Sequence, residues 1–231
     1  MLDFIVEDKE KIVVEWPGWS LSDNKYGAEF DKEARIRMVI GSRKLIPYIL
    51  KYRHGLGDSL LEIGPFFNPL LRFSGLREFL AEDASVTFLE NDPNAVAWLR
   101  RNHPCRILEI DMNSASFTDD LQTKLASETP GYANSFNTII ISQVLNYIDH
   151  SLLFRSLFQV LRPGGLLFIN NVINYGIPPL FSPKRPRSNK EIIKTAMETG
   201  YTVLERNTIP KHFKNEPQRR LIVVLSTTPG M

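Results

Sequence analysis

The stretch SLLEIGPFFNPLL, residues 59–71, decides how the rest of the chain is read. It opens as a short apolar run ending in an acid, Glu62, and Gly64 then lets the backbone turn sharply. Asn68 followed by Pro69 has the form of a helix start: an asparagine caps free N–H groups, and a proline at the first helical position loses no hydrogen bond. Strand, glycine turn and helix start make the unit from which parallel sheets are assembled.

Working outward, the unit recurs. The runs VTFLE (86–90), CRILEI (105–110), FNTIIIS (136–142) and GLLFINN (165–171) read as further strands, and YTVLE (201–205) and RLIVVLS (220–226) as two closing ones. Helical segments lie between them. Asp92 precedes Pro93 as Asn68 precedes Pro69, and Leu153, Leu157 and Leu161 recur every four residues. Ser188 with Glu191 has capping-box spacing, and Gly200 can end that helix. The expected fold is α/β, a mostly parallel seven-stranded sheet with helices on both faces. Before Ser59 the chain is polar, with Trp16 and Trp19, followed by a predicted helix from about Asp31 that Pro47 interrupts. We read residues 1–231 as one domain, with 1–57 as an N-terminal helical cap or lid and 58–231 as the core.

Composition narrows the function. The 28 basic and 26 acidic side chains give a net charge of +2, too balanced for the broad field of a nucleic-acid binder. No stretch approaches the ~20 apolar residues of a membrane span, so a soluble, cytoplasmic protein is expected. The single cysteine, Cys105, excludes an intrachain disulfide and reads as a strand residue; no metal site is expected.

In an open parallel sheet, ligands bind beyond the carboxyl ends of the strands. Glu90, 26 residues beyond Gly64, ends the second strand, where a carboxylate can accept from both hydroxyls of a ribose. After the third, Asp111 can accept from an exocyclic amino group and Met112 can pack on a purine. After the fourth come Ser142, Gln143 and the string VLNYIDH, and LRPGG, read as a turn, leads into the fifth.

This order of acidic-x-glycine loop, acidic second strand end, aspartate after the third and LRPGG before the fifth resembles the class I S-adenosylmethionine (SAM)-dependent methyltransferases of small-molecule type, over roughly residues 59–169. The resemblance implies a Rossmann-like methyltransferase fold, SAM as cofactor and S-adenosylhomocysteine as product. It places Glu62, Gly64, Pro65 and Asn68 at the methionine part of SAM, Glu90 and Asn91 at the ribose, Asp111 and Met112 at the adenine, and Ser142 and Gln143 beside the sulfonium. Tyr26, in KYGAEFDKEA, matches the family's lid helix, and residues 19–30 are expected to close over the cofactor.

The chain departs from the family at Phe66 and Asn68, where many members have glycine, and at Asn146 and Tyr147, where many have histidine. Loss of the glycines argues against a dinucleotide, whose pyrophosphate needs close backbone approach. Tyr147 and His150 are the candidate catalytic groups, His150 being either a general base or a surface histidine. The loop 171–187 carries Lys184, Arg185 and Arg187, either a wall for a small, anionic acceptor or a solvated basic loop. Two other functions stay open: a SAM-binding module without catalysis, and methylation of a protein.

Overall fold

The computed structural model describes residues 36–72, 76, 78–128, 136–176, 180–211 and 218–227. Seven strands form one sheet: β1 (Ser59–Ile63), β2 (Ser85–Glu90), β3 (Arg106–Glu109), β4 (Phe136–Ser142), β5 (Leu161–Asn171), β6 (Tyr201–Ile209) and β7 (Arg220–Thr227). Their order is β3-β2-β1-β4-β5-β7-β6. The first five pair in parallel, and β7 runs antiparallel to both β5 and β6. The fold class read from the sequence is therefore the observed one, closing hairpin included.

Alternation along the strands sends successive side chains to opposite faces. Leu61, Ile63, Ile139, Ile141, Leu167 and Ile169 enter one core, while Leu60, Ile140, Leu166 and Phe168 enter the other. Because both faces are covered, the central strands read as unbroken apolar runs. The first core is roofed by α4 (Phe117–Glu128), α5 (His150–Val160) and α6 (Asn189–Thr199), the second by α2 (Ile46–Lys51) and α3 (Pro93–Asn102).

The caps explain where the helices start. Asp92 accepts from the Ala95 N–H at 2.8 Å, and Ser188 accepts from the Glu191 N–H at 3.1 Å. Glu191 returns a carboxylate oxygen to the Arg187 N–H, one residue before the cap, and Gly200 ends α6 at φ 115°. Pro47 sits in the first turn of α2, which two turn residues separate from an earlier helix, α1 (36–43). The predicted interruption is thus a fresh start for which proline is suited.

Three local readings change. Pro163, Gly164 and Gly165 lie inside β5, where pairing jumps from Phe136 with Leu161 to Thr138 with Leu166; they form a bulge, not a turn. Leu161, read as helical, opens that strand. Cys105 lies just before β3, half-buried.

Candidate functional site

Strand order reverses at β1 and β4, and the crevice beyond their carboxyl ends opens into a cavity of about 390 Å³. Its walls come from the loops after β1, β2, β3 and β4, with Met38 and Ser42 from α1 and Leu180 from the segment beyond β5. Glu62, Gly64, Pro65, Asn68, Glu90, Asn91, Met112, Ser142, Gln143 and Tyr147, all singled out in the sequence, line it. Tyr26 and the expected lid over residues 19–30 lie outside the described residues.

Gly64 has φ 59°, and a Cβ there would stand 2.7 Å from Cγ2 of Val144, so the β1 and β4 loops meet without room for a side chain. Among the described residues three non-glycines also have positive φ: Phe66 (53°) after β1, Gln143 (62°) after β4 and Asn174 (57°) after β5. Such a backbone costs on the order of 1–3 kcal/mol and collects where function over-determines the chain. Phe66 occupies a position where the family's glycine would be unstrained. Its ring packs beside Phe67 at 4.5 Å and joins the small cluster holding α1 to the β1 loop.

Two of the three expected acids, Glu62 and Glu90, line the cavity, already held by the backbone. Glu62, 2% exposed, accepts from the N–H groups of Leu70 (2.8 Å) and Leu71 (2.9 Å). It anchors a 3-10 turn, Leu70–Arg72, where a helix start was read at Asn68. Burial pushes its carboxyl up to about 7 against the pull of the two amides. Glu90 accepts from Phe66, Asn91 and Asp92 N–H groups at 2.9–3.0 Å, and burial raises it above the usual carboxylate range despite those bonds. A carboxylate has about four lone-pair sites, so roughly one remains for a ligand.

Other candidates fall elsewhere. Asp111 is exposed and absent from the cavity wall: one oxygen accepts from the Asn113 N–H, and the resulting turn carries Met112 inward in its place. His150 is neither on the surface nor at the cavity. It is 4% exposed, one ring nitrogen meeting the Lys184 carbonyl oxygen at 2.9 Å and the other the Thr195 hydroxyl at 3.3 Å, so it ties α5 to α6 and the neighbouring loop. The three loop cations are also engaged away from the cavity. Lys184 pairs with Asp149 at 3.1 Å; Arg185 donates to Asn174 and the Ser182 carbonyl and lies over the Phe181 ring; Arg187 donates to the Pro183 carbonyl.

Asn146 is a clamp. Buried to 1% exposure, it donates to the Val172 and Tyr175 carbonyls and accepts from the Asn174 N–H, fixing the loop after β5. Tyr147 then stands between Phe181, ring centres 5.6 Å apart, and Gly176, where a Cβ would fall 1.9 Å from the phenol oxygen. Met38, Ser42 and Leu180 were missed because no strand end signals them. Met38 and Ser42 are held over the cavity by Gln143, whose amide donates to the Met38 carbonyl and the Ser42 hydroxyl.

Comparison with known proteins agrees with the fold. The family model described as "Methyltransferase domain" matches residues 73–169. Erythromycin 3''-O-methyltransferase of Saccharopolyspora erythraea is 28% identical over 113 residues, covering 39% of this chain and 37% of that enzyme, well under two thirds of its length. A SAM-dependent methyltransferase from Mesorhizobium loti shares the fold with TM-score 0.56 at 15% identity, over 78% of this chain and 96% of that one. The cyclase SpnF shares it with TM-score 0.60 at 13% identity, over 99% and 93%. At such identities the structures speak for the fold alone. Fold, ordered strand ends and the domain match over residues 73–169 together support a class I SAM-dependent methyltransferase.

Proposed function

We propose that the chain transfers the methyl group of SAM to a small-molecule acceptor and releases S-adenosylhomocysteine. One observation carries this reading: the described cavity wall holds the carboxyl groups of Glu62, Glu90 and Asp92 and no lysine, arginine or histidine. These acidic groups oppose a pyrophosphate, whereas SAM brings a sulfonium and an ammonium that they favour. The match to an enzyme named for methylating erythromycin supports a small acceptor.

SAM, when bound, supplies an electrophilic methyl carbon. The remaining lone pair of Glu90 accepts from a ribose hydroxyl, Gly64 lets the backbone approach the methionine part, and Met112 packs on the purine. Ser142 and Gln143 border the sulfonium, and Tyr147 borders the acceptor. Methyl transfer is an in-line displacement, so these groups act chiefly by aligning the reactants and excluding water.

Calorimetry should show S-adenosylhomocysteine binding and no NAD binding; the opposite result defeats the reading. Glu90→Gln keeps the shape but loses the charge that strengthens the ribose bond. It is expected to weaken S-adenosylhomocysteine by roughly 1.5–3 kcal/mol, measured in the same titration.

A further inference from the structure

Leu180 is 62% exposed, an unusual state for a leucine at the mouth of a cavity. Beside it Tyr147 and Phe181 meet edge to face, and Met38, Val144 and Ile148 continue the same apolar wall. The polar groups of this wall are neutral, and the Gln143 amide N–H groups are committed to Met38 and Ser42. Lys184, Arg185 and Arg187 are each held by other partners and no cation is among the described lining residues, so the described wall offers an entering anion no counter-charge.

We infer that the acceptor is an uncharged, largely apolar compound whose body packs on Leu180 and Tyr147. This rests on the methyltransferase reading of the cavity and deepens it. Such a compound covers the exposed lip, gains from apolar burial and leaves no charge desolvated against Glu62 and Glu90. Among the described residues no imidazole reaches this cavity, and His150 is spent on the helix contact.

The test uses the full chain saturated with S-adenosylhomocysteine, titrated at neutral pH with β-naphthol and with its carboxylate-bearing analogue, hydroxynaphthoate. β-Naphthol should bind at least tenfold more tightly. Leu180→Asp, at a site exposed enough to spare the fold, should weaken β-naphthol several-fold at saturating S-adenosylhomocysteine. Equal or tighter binding of the carboxylate, no binding of either probe, or indifference to Leu180→Asp overturns the inference alone. A chain that does not bind S-adenosylhomocysteine at all overturns the methyltransferase reading and this inference with it.

Discussion

Raising the pH from 5 to 8 is expected to cost the cofactor-free protein roughly 2–3 kcal/mol of folding stability through Glu62 alone. The folded-state value near 7 lies above the ordinary carboxyl value of 4.5. Between those values the native chain therefore holds a proton that the unfolded chain has lost. Stability from this group is complete below about 4.5 and is lost as pH rises through 7. The cause is local: the carboxyl ends β1 at 2% exposure, and its two amide partners do not make up for the water it has left. Urea unfolding at the two pH values should show the drop, and Glu62→Gln, which cannot ionise, should remove Glu62's share. On the proposed placement, the cofactor's ammonium favours the ionised form, so S-adenosylhomocysteine should bind more tightly above pH 7 in the parent and not in Glu62→Gln. A parent whose stability is flat across this range would show that Glu62 is ionised throughout.

Glu62 also shows what sequence reading can and cannot reach. That a carboxylate ends β1, that another ends β2, and that both border one crevice follow from periodicity and strand order, because these are properties of the chain's own local pattern. The direction in which each lone pair points does not. Asn91 and Asp92 turn their N–H groups onto Glu90 within its own loop, whereas Phe66 does so only because the β1 and β2 loops lie side by side, a contact between residues 24 apart. The position of Asp111 fits either an adenine partner or a plain turn aspartate, and its bond to the Asn113 N–H is that of a turn, with the side chain outward. The loop cations fit either an acceptor wall or a solvated loop in the sequence, and Asp149 and Asn174, brought near by the ends of β4 and β5, hold two of them away from the cavity. Wherever a role depended on a partner supplied by another strand end, the residue type was readable and the role was not.

Asn146 is such a residue, and Asn146→Asp is expected to be among the most damaging single changes of one atom type in the chain. The native amide gives both hydrogens to carbonyls, Val172 and Tyr175, each at 2.8 Å, and its oxygen takes the Asn174 N–H at 3.1 Å. A carboxylate would set a negative oxygen against two carbonyl oxygens at 1% exposure, an arrangement worth on the order of 3–5 kcal/mol in lost stability. The aspartate would hold a proton to avoid this, so its folded-state value would lie above the unfolded one. By the same sign rule as for Glu62, the variant should suffer least at pH 4, where the neutral acid still gives one hydrogen bond, and most at pH 8. Asn146→Ala leaves two carbonyls and an N–H without their partner but adds no titrating group, so its cost, roughly 2–4 kcal/mol, should not change between the two pH values. The damage reaches the acceptor wall, because the loop freed at Val172, Asn174 and Tyr175 also carries Gly176 against Tyr147. Hydrogen exchange over residues 172–176 should therefore accelerate in both variants, while that of α3, which packs on the far side of the sheet, stays slow. Equal pH dependence in the aspartate and alanine proteins would mean that the side chain at 146 is solvated and clamps nothing.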